Sequence, residues 1–205
     1  MATNKENMLK GKLYMAGGKE LAKDSKKSRM LTRLFNNSTE EQLEYRVELL
    51  KQLFESTGQE IYIEPPFRCD YGYNITVGDH FYANYDCIII DVAKVTIGDH
   101  VFFGPRVGVY TAGHPIDSDV RNTLLEFGKP ITIGNSVWIG ANTVITPGVN
   151  IGNNVVIGAG SIVTKDIPDN VVAVGNPCKV LREITDEDRR YWEKQKNDYY
   201  EDIQD

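Results

Sequence analysis

Aliphatic residues return every sixth position through most of this chain, and the positions between them follow neither a helix nor an ordinary strand. The longest run is Ile133, Ile139, Ile145, Ile151, Ile157 and Val163, with Gly134, Gly140, Gly152 and Gly158 directly after four of them. A second run, Ile97, Phe103 and Val109, keeps the step and carries Gly98 and Gly104. A third, Val77, Ala83 and Ile89, precedes it, with Gly78 after the first member. From 89 to 97 is eight, a two-residue bulge, and from 109 to 133 is four periods of six, so the runs stay in phase. A helix repeats at about 3.6 and a half-buried strand at about 2, so a step of six excludes both. One inward aliphatic per hexad predicts a parallel β-helix, three short strands per coil, stacked into a prism. The glycines are read as corner positions, where a side chain would crowd the bend.

The hexads divide the chain. Residues 1–60 have none; Leu31, Leu34 and Phe35, then Leu43, Val47, Leu50, Leu53 and Phe54, recur at helical spacing. Between them Ser38-Thr39-Glu40-Glu41 reads as a helix start, Ser38 capping and Glu41 reaching back. Two or three helices on the flank of the prism are expected. Residues 61–180 are assigned to the β-helix, entered through Pro65-Pro66. Residues 181–205 become acidic, aromatic and helix-like (Thr185 to Trp192). A tail helix is expected to cap the last coil, which otherwise exposes strand edges and an apolar end.

Composition narrows the class without changing it. A length of 205 residues suits one core-forming domain with short appendages. Hydrophobic and charged fractions of 41% and 25% describe a soluble protein, and a net charge of -6 speaks against a nucleic-acid partner. The basic residues from Lys5 to Arg33 read as one solvated helix face. Cys69, Cys87 and Cys178 are odd in number and form no CxxC, so neither a disulfide framework nor a zinc knuckle is indicated. No apolar stretch approaches membrane-spanning length and no signal-peptide core is present, so the expectation is a cytoplasmic chain with no membrane partner.

Chemistry is expected where the period fails. From Gly113 to Lys129 the hexads stop although the prism is in register on both sides, which predicts an ejected loop over 113–130. Long loops carried by a rigid scaffold are commonly functional. His114 stands at the loop root in Thr111-Ala112-Gly113-His114-Pro115, its backbone held extended by Pro115. His80 and His100 each follow Gly-Asp, twenty residues apart, and are expected to stack on neighbouring coils at about 4.8 Å as solvent-facing turn residues.

At this point the chain resembles the maltose and galactoside O-acetyltransferases of the hexapeptide-repeat superfamily, from about residue 5 to residue 185. The resemblance is carried by Met8-Leu9-Lys10-Gly11-Lys12-Leu13-Tyr14, Asp70-Tyr71-Gly72-Tyr73-Asn74-Ile75 and Phe81-Tyr82-Ala83-Asn84-Tyr85. It continues in Tyr110 to Pro115, Val137-Trp138-Ile139-Gly140 and Gly175-Asn176-Pro177-Cys178. It implies a left-handed β-helix that moves an acetyl group from acetyl-CoA, as co-substrate and without a metal, to a sugar hydroxyl. A hydroxyl must lose its proton as it attacks the thioester, and a mostly neutral histidine suits that task. The resemblance makes His114 the general base, with direct transfer in a ternary complex. It makes Asn84 the active-site asparagine, near the thioester and able to donate to the developing oxyanion. It implies cofactor contacts at Asn84, Ala141, Ala159, Thr164, Lys165, Lys179 and Arg182, the basic residues meeting CoA phosphates. For the acceptor it implies Asp70, Tyr82, Asp91 and Trp138. It further implies a homotrimer with each site shared between neighbours, His114 meeting residues of the adjacent subunit.

Three departures touch the acceptor side. Met15-Ala16-Gly17-Gly18 has no acid where relatives carry an aspartate, Val92 stands where galactoside enzymes can carry a second acid, and Gly113 replaces a common threonine. Other classes compete. A γ-type carbonic anhydrase needs three zinc-binding histidines, and His80, His100 and His114 lack that family's spacing. A non-catalytic assembly protein has no need of His114, Asn84 and Trp138 together. A hexapeptide acyltransferase acting on an amine or serine is the strongest rival.

Overall fold

The computed structural model describes residues 1–203, and the hexad region winds as a parallel β-helix of six coils. Three sheets form the faces. Face I holds Ser56–Thr57, Ile75–Val77, Val95–Ile97, Ile131–Ile133 and Asn150–Ile151, with a bridge on to Ile167. Face II holds Ile61–Ile63, Phe81–Ala83, Phe102–Phe103, Trp138–Ile139, Val156–Ile157 and Val171–Val174. Face III holds Arg68–Cys69, Ile88–Ile90, Gly108–Tyr110, Val144–Ile145 and Ile162–Val163. Each hexad residue pairs in register with its counterpart one coil away, as Val77 with Ile97 and Ile139 with Ile157. All point inward and are buried in one continuous core.

The prism begins earlier than the hexads announce. Thr57, Ile63 and Cys69 form a first coil that steps by six and then by eight to Val77, with Thr57 paired to Val77. The first strand thus falls before residue 61, and Pro65-Pro66 lies inside the first coil. The corners also differ from expectation. Crowding does exclude a side chain: a Cβ on Gly134 would lie 2.7 Å from the Gly152 carbonyl oxygen. Yet the left-handed residue of the I/II corner stands two positions further on, at His80, His100, Ser136 and Asn154, with φ between 51° and 56°.

Helices close the first coil. α1 (Asn4–Leu9), α2 (Lys19–Asn36) and α3 (Leu43–Leu53) precede the strands. Leu31 and Phe35 of α2 and Leu49, Leu50 and Leu53 of α3 join the core of Ile61, Ile63 and Phe67, and Phe54 meets Phe67 edge-on at 5.7 Å. These helices therefore seal the open end of the prism instead of lying on its flank. The Ser38 cap does not form. Its hydroxyl donates to the Phe35 carbonyl at 2.6 Å and accepts from Arg46 Nε at 2.7 Å, while Gln42 Oε1 takes the Thr39 amide at 2.9 Å.

The period breaks at 113–130 as a hairpin. Ala112–Gly113 runs antiparallel to Leu125–Gly128, with α4 (Ser118–Arg121) at the tip, and Tyr14–Met15 adds a third strand. A small second core of Met8, Tyr14, Leu21, Tyr71 and Val92 fastens the N-terminal segment to the first two coils beside this hairpin. At the far end Lys179–Glu183 turns back antiparallel on Val171–Val174. α5 (Asp186–Asp202) buries no residue, and Tyr191, Trp192, Tyr199 and Tyr200 are exposed, so the tail helix does not cap the solenoid. Among the described residues no helix is long and apolar enough to cross a membrane.

Candidate active site

Every departure from the hexad gathers at the corner between faces III and I. The first coil inserts Asp70 to Asn74 there, the second inserts Asp91 to Lys94, and the third ejects the hairpin after Thr111. Asp91 holds the first two insertions together. Its Oδ1 accepts the amides of Asp70 (3.0 Å) and Tyr71 (2.9 Å), and its Oδ2 those of Gly72 (2.7 Å) and Asn74 (3.4 Å). Burial pushes its carboxyl up to about 7, and the Tyr71, Gly72 and Asn74 amides pull the other way. Asp91 has no accessible surface, so it shapes the loop and does not itself contact an acceptor. That corrects its expected role: the resemblance set it on the acceptor, whereas folding puts it behind the wall.

The loop that Asp91 organises lines a cleft of about 650 Å³ bounded by Ala16, Leu21, Arg29, Asp70, Tyr71, Val92 and Glu126. Two of the sequence departures now have a place, since Ala16 and Val92 make an apolar stretch of wall. Asp70 is partly buried; burial raises its carboxyl, Glu126 raises it further, and Arg29 lowers it. His114 stands beside this cleft on the hairpin. Its Nδ1 lies 3.3 Å from the Leu125 carbonyl oxygen and its Nε2 lies 3.8 Å from Glu126 Oε2. A carbonyl only accepts, so this contact assigns the proton to Nδ1 and leaves the Nε2 lone pair free. The imidazole is about half exposed.

The remaining residues lie elsewhere on the prism. Asn84, Ala141 and Ala159 share the corner between faces II and III. Asn84 Oδ1 accepts the Tyr85 amide at 2.7 Å, which leaves its NH2 group as the outward donor. Thr164 and Lys165 are exposed at the III/I corner, below the hairpin. Lys179 and Arg182 are exposed on the final strand, where Arg182 grips Asp188 through two bonds of 2.7 and 2.8 Å and holds that carboxyl below the usual range. Tyr82 and Trp138 point outward from face II in one register column, Tyr62, Tyr82, Phe102, Trp138. Tyr62 and Tyr82 stack at 5.9 Å, and Trp138 is 56% exposed.

The expected residues therefore form two groups within one chain. Asp70 lines the cleft and His114 stands next to it, 3.8 Å from the lining Glu126, whereas Asn84, Tyr82, Trp138, Ala141 and Ala159 do not line it. A face-III strand of three residues, spanning roughly 10 Å, separates the Asn84 corner from the His114 corner. Glu126 was not singled out from sequence because it lies in the aperiodic loop, where no period tells which way a side chain faces. Tyr14 was quoted only for resemblance; its pairing with Glu126 across the added strand is a tertiary fact. His80 and His100 stack as expected, with ring centroids 4.5 Å apart, and His80 Nδ1 lies 2.9 Å from Glu60. Among the described residues no group of three or more histidine, cysteine or acidic side chains is arranged to hold a metal.

Known proteins share the sequence and the fold of this chain. Residues 7–58 match the maltose acetyltransferase hexapeptide capping motif, and residues 130–165 match the bacterial transferase hexapeptide (six repeats). The galactoside O-acetyltransferase of Escherichia coli K12 is 46% identical over 189 residues, 92% of this chain and 93% of that protein. The crystal structure of a maltose O-acetyltransferase from Clostridium difficile 630 is 56% identical and superposes with a TM-score of 0.89, covering 90% of this chain and 98% of that one. A galactoside acetyltransferase in complex with coenzyme A is 45% identical, also with a TM-score of 0.89, over 92% and 94% of the two chains. The chain belongs to the maltose and galactoside O-acetyltransferase family of hexapeptide-repeat proteins.

Proposed function

We propose that this protein transfers the acetyl group of acetyl-CoA directly to a sugar or glycoside hydroxyl, with His114 as general base. The observation that carries the reading is the divided role of the His114 ring, Nδ1 tied to the Leu125 carbonyl and Nε2 free beside Glu126 of the cleft wall. The acceptor hydroxyl gives its proton to Nε2 as its oxygen bonds to the thioester carbon. The carbonyl electrons move onto oxygen, where the Asn84 NH2 group donates to the oxyanion. Collapse re-forms the carbonyl and expels the CoA sulfur, which takes the proton back from Nε2. No covalent acyl-enzyme is required.

The base and the oxyanion donor stand at different corners, so the reaction needs two chains. A homotrimer whose active sites lie between subunits brings His114 of one to Asn84 of the next. The exposed aromatic column on face II supports this, since contiguous apolar surface marks an interaction site. Asp70 would hold acceptor hydroxyls, and Tyr82 and Trp138 would approach from the neighbouring subunit. The CoA arm would follow the II/III corner past Ala141 and Ala159 toward Thr164, Lys165, Lys179 and Arg182. Three buried, unpaired cysteines fit a reducing cytoplasm.

The test is release of free CoA thiol from acetyl-CoA with glucosyl, galactosyl and maltosyl acceptors, wild type beside His114→Ala. The expected result is acceptor-dependent release that falls roughly a hundredfold or more in the variant. Release with serine or amines but no sugar would discard the acceptor class.

A further inference from the structure

We propose that Asp188 is a positioning residue for acetyl-CoA: from the first turn of α5 it clamps one end of the Arg182 guanidinium and leaves the other edge open to a CoA phosphate. The inference rests on the proposed course of the CoA arm past Lys179 and Arg182, and it gives α5, which caps nothing, a task.

The last strand first brings two cations to one side. Lys179 lies opposite Val174 and Arg182 opposite Val172 across the antiparallel pair. Residues three apart point to opposite sides of a regular strand. Here the register shifts between Val172 and Ala173, so the strand absorbs an extra residue and both cations end beside valines two positions apart. Those valines are partly exposed whereas Val171 and Ala173 are buried, so the shared side is the outer side of face II. A Cβ on Gly158 would lie 2.7 Å from Val174 Cγ1, which sets Lys179 at the foot of the corner that carries Ala141 and Ala159.

Arg182 is then fixed from behind. A guanidinium has five N–H donors. Nη1 donates to the Glu183 carbonyl at 2.9 Å and to Asp188 Oδ2 at 2.7 Å, and Nη2 donates to Asp188 Oδ1 at 2.8 Å. Those bonds use the end-on fork. Among the described residues Nε and the second Nη2 hydrogen have no partner, and together they form the side-on fork, a bidentate match for a phosphate. The side chain is half exposed, so a ligand can reach that edge.

Asp188 is itself anchored. As the third residue of α5 it accepts the Thr185 amide at 2.9 Å and the Thr185 hydroxyl at 3.2 Å on Oδ2. Arg182 first, and then the Thr185 amide, hold its carboxyl below the usual range, so it stays charged. An unclamped arginine on an exposed strand samples many rotamers, and a ligand must freeze them. A clamp made before the ligand arrives removes that cost. The two anions would meet different edges of one cation, and Lys179 supplies a second positive charge, so the phosphate is still attracted.

The experiment uses the full chain and a sugar that the wild type acetylates, with acetyl-CoA compared against S-acetylpantetheine, a donor that has no phosphate. Asp188→Asn keeps an acceptor for the Thr185 amide and loses the charged clamp. It should raise KM for acetyl-CoA roughly 3- to 10-fold with kcat within about twofold, and leave kcat/KM for S-acetylpantetheine near wild type. Arg182→Ala should raise KM for acetyl-CoA by roughly tenfold or more, and adding Asp188→Asn to it should cost less than about twofold further. Circular dichroism and thermal unfolding of each variant report whether α5 persists. Equal losses on the two donors, additive losses in the double variant, or an unchanged or lowered KM for acetyl-CoA in Asp188→Asn would overturn the inference alone. An Arg182→Ala variant with wild-type KM for acetyl-CoA would remove the phosphate contact beneath it as well.

Discussion

The corner between faces I and II and the corner between faces III and I are built from the same period, yet only the second departs from it. At the I/II corner four coils repeat glycine, then Asp or Asn, then a left-handed residue. Each Asp or Asn side chain accepts the amide of its counterpart one coil away, Asp99 from Asp79, Asn135 from Asp99, Asn153 from Asn135. The ladder satisfies the backbone and leaves its polar groups occupied. At the III/I corner the first two coils step by eight and the third ejects the hairpin, and the extra residues build a loop, a hairpin and a cleft. Histidine appears at both. His80 and His100 are ladder residues that stack on each other, while His114 stands on the hairpin with one nitrogen free. The residue type says little; the regularity of its surroundings decides whether its lone pair is available.

The comparison breaks most severely if Asp91 is altered. Asp91→Asn keeps the volume but turns a donor toward the Gly72 and Asn74 amides, and we expect a loss of about 3 kcal/mol in stability. Activity should fall with it, because the Asp70–Asn74 loop lines the cleft. Urea unfolding and the CoA-release assay check the two effects. Asp91 also gives a pH signature. Its pKa is about 7 folded, above the unfolded value, so the native state keeps a proton that the unfolded chain has lost. Its contribution is full below an unfolded pKa of about 3.9 and is lost as pH rises through the folded value. The stability gap between wild type and Asp91→Asn should therefore narrow between those limits, measured as Tm against pH.

Smaller effects belong to the regular corner. Asn135→Ala removes one ladder acceptor at an exposed position, and a loss of about 1 kcal/mol or less is expected with unchanged turnover. His100→Ala should change stability by no more than about 0.5 kcal/mol and leave acetyl transfer intact. A large activity loss in either variant would erase the distinction between the two corners.

The hexads made the faces legible because inward residues every six positions leave one mark wherever the coil is regular. The first coil escaped because Thr57 and Cys69 are weak markers and its eight-residue step to Val77 was not matched to the one from Ile89 to Ile97. The His80 and His100 stack followed from spacing alone. The Ser38 cap failed because Arg46, eight residues on, claims the hydroxyl. The tail cap is expected because the last coil exposes strand edges and an apolar end, but α5 keeps its aromatic rings in solvent, and α2 with α3 seals the opposite end. At the site, Pro115 and the break in period pointed to His114, whereas Asp91 and Glu126 owe their positions to insertions that periodicity does not describe.

The central claim is that the base and the oxyanion donor come from different chains, and subunit complementation tests it most directly. His114→Ala and Asn84→Ala, each nearly inactive alone, would be unfolded together, refolded as a mixture and assayed for acetyl transfer. Random assembly leaves one interface in about four with both residues intact, so activity should return to roughly a quarter of wild type. A mixture no more active than its two components would mean that His114 and Asn84 act within one chain, and would contradict the account.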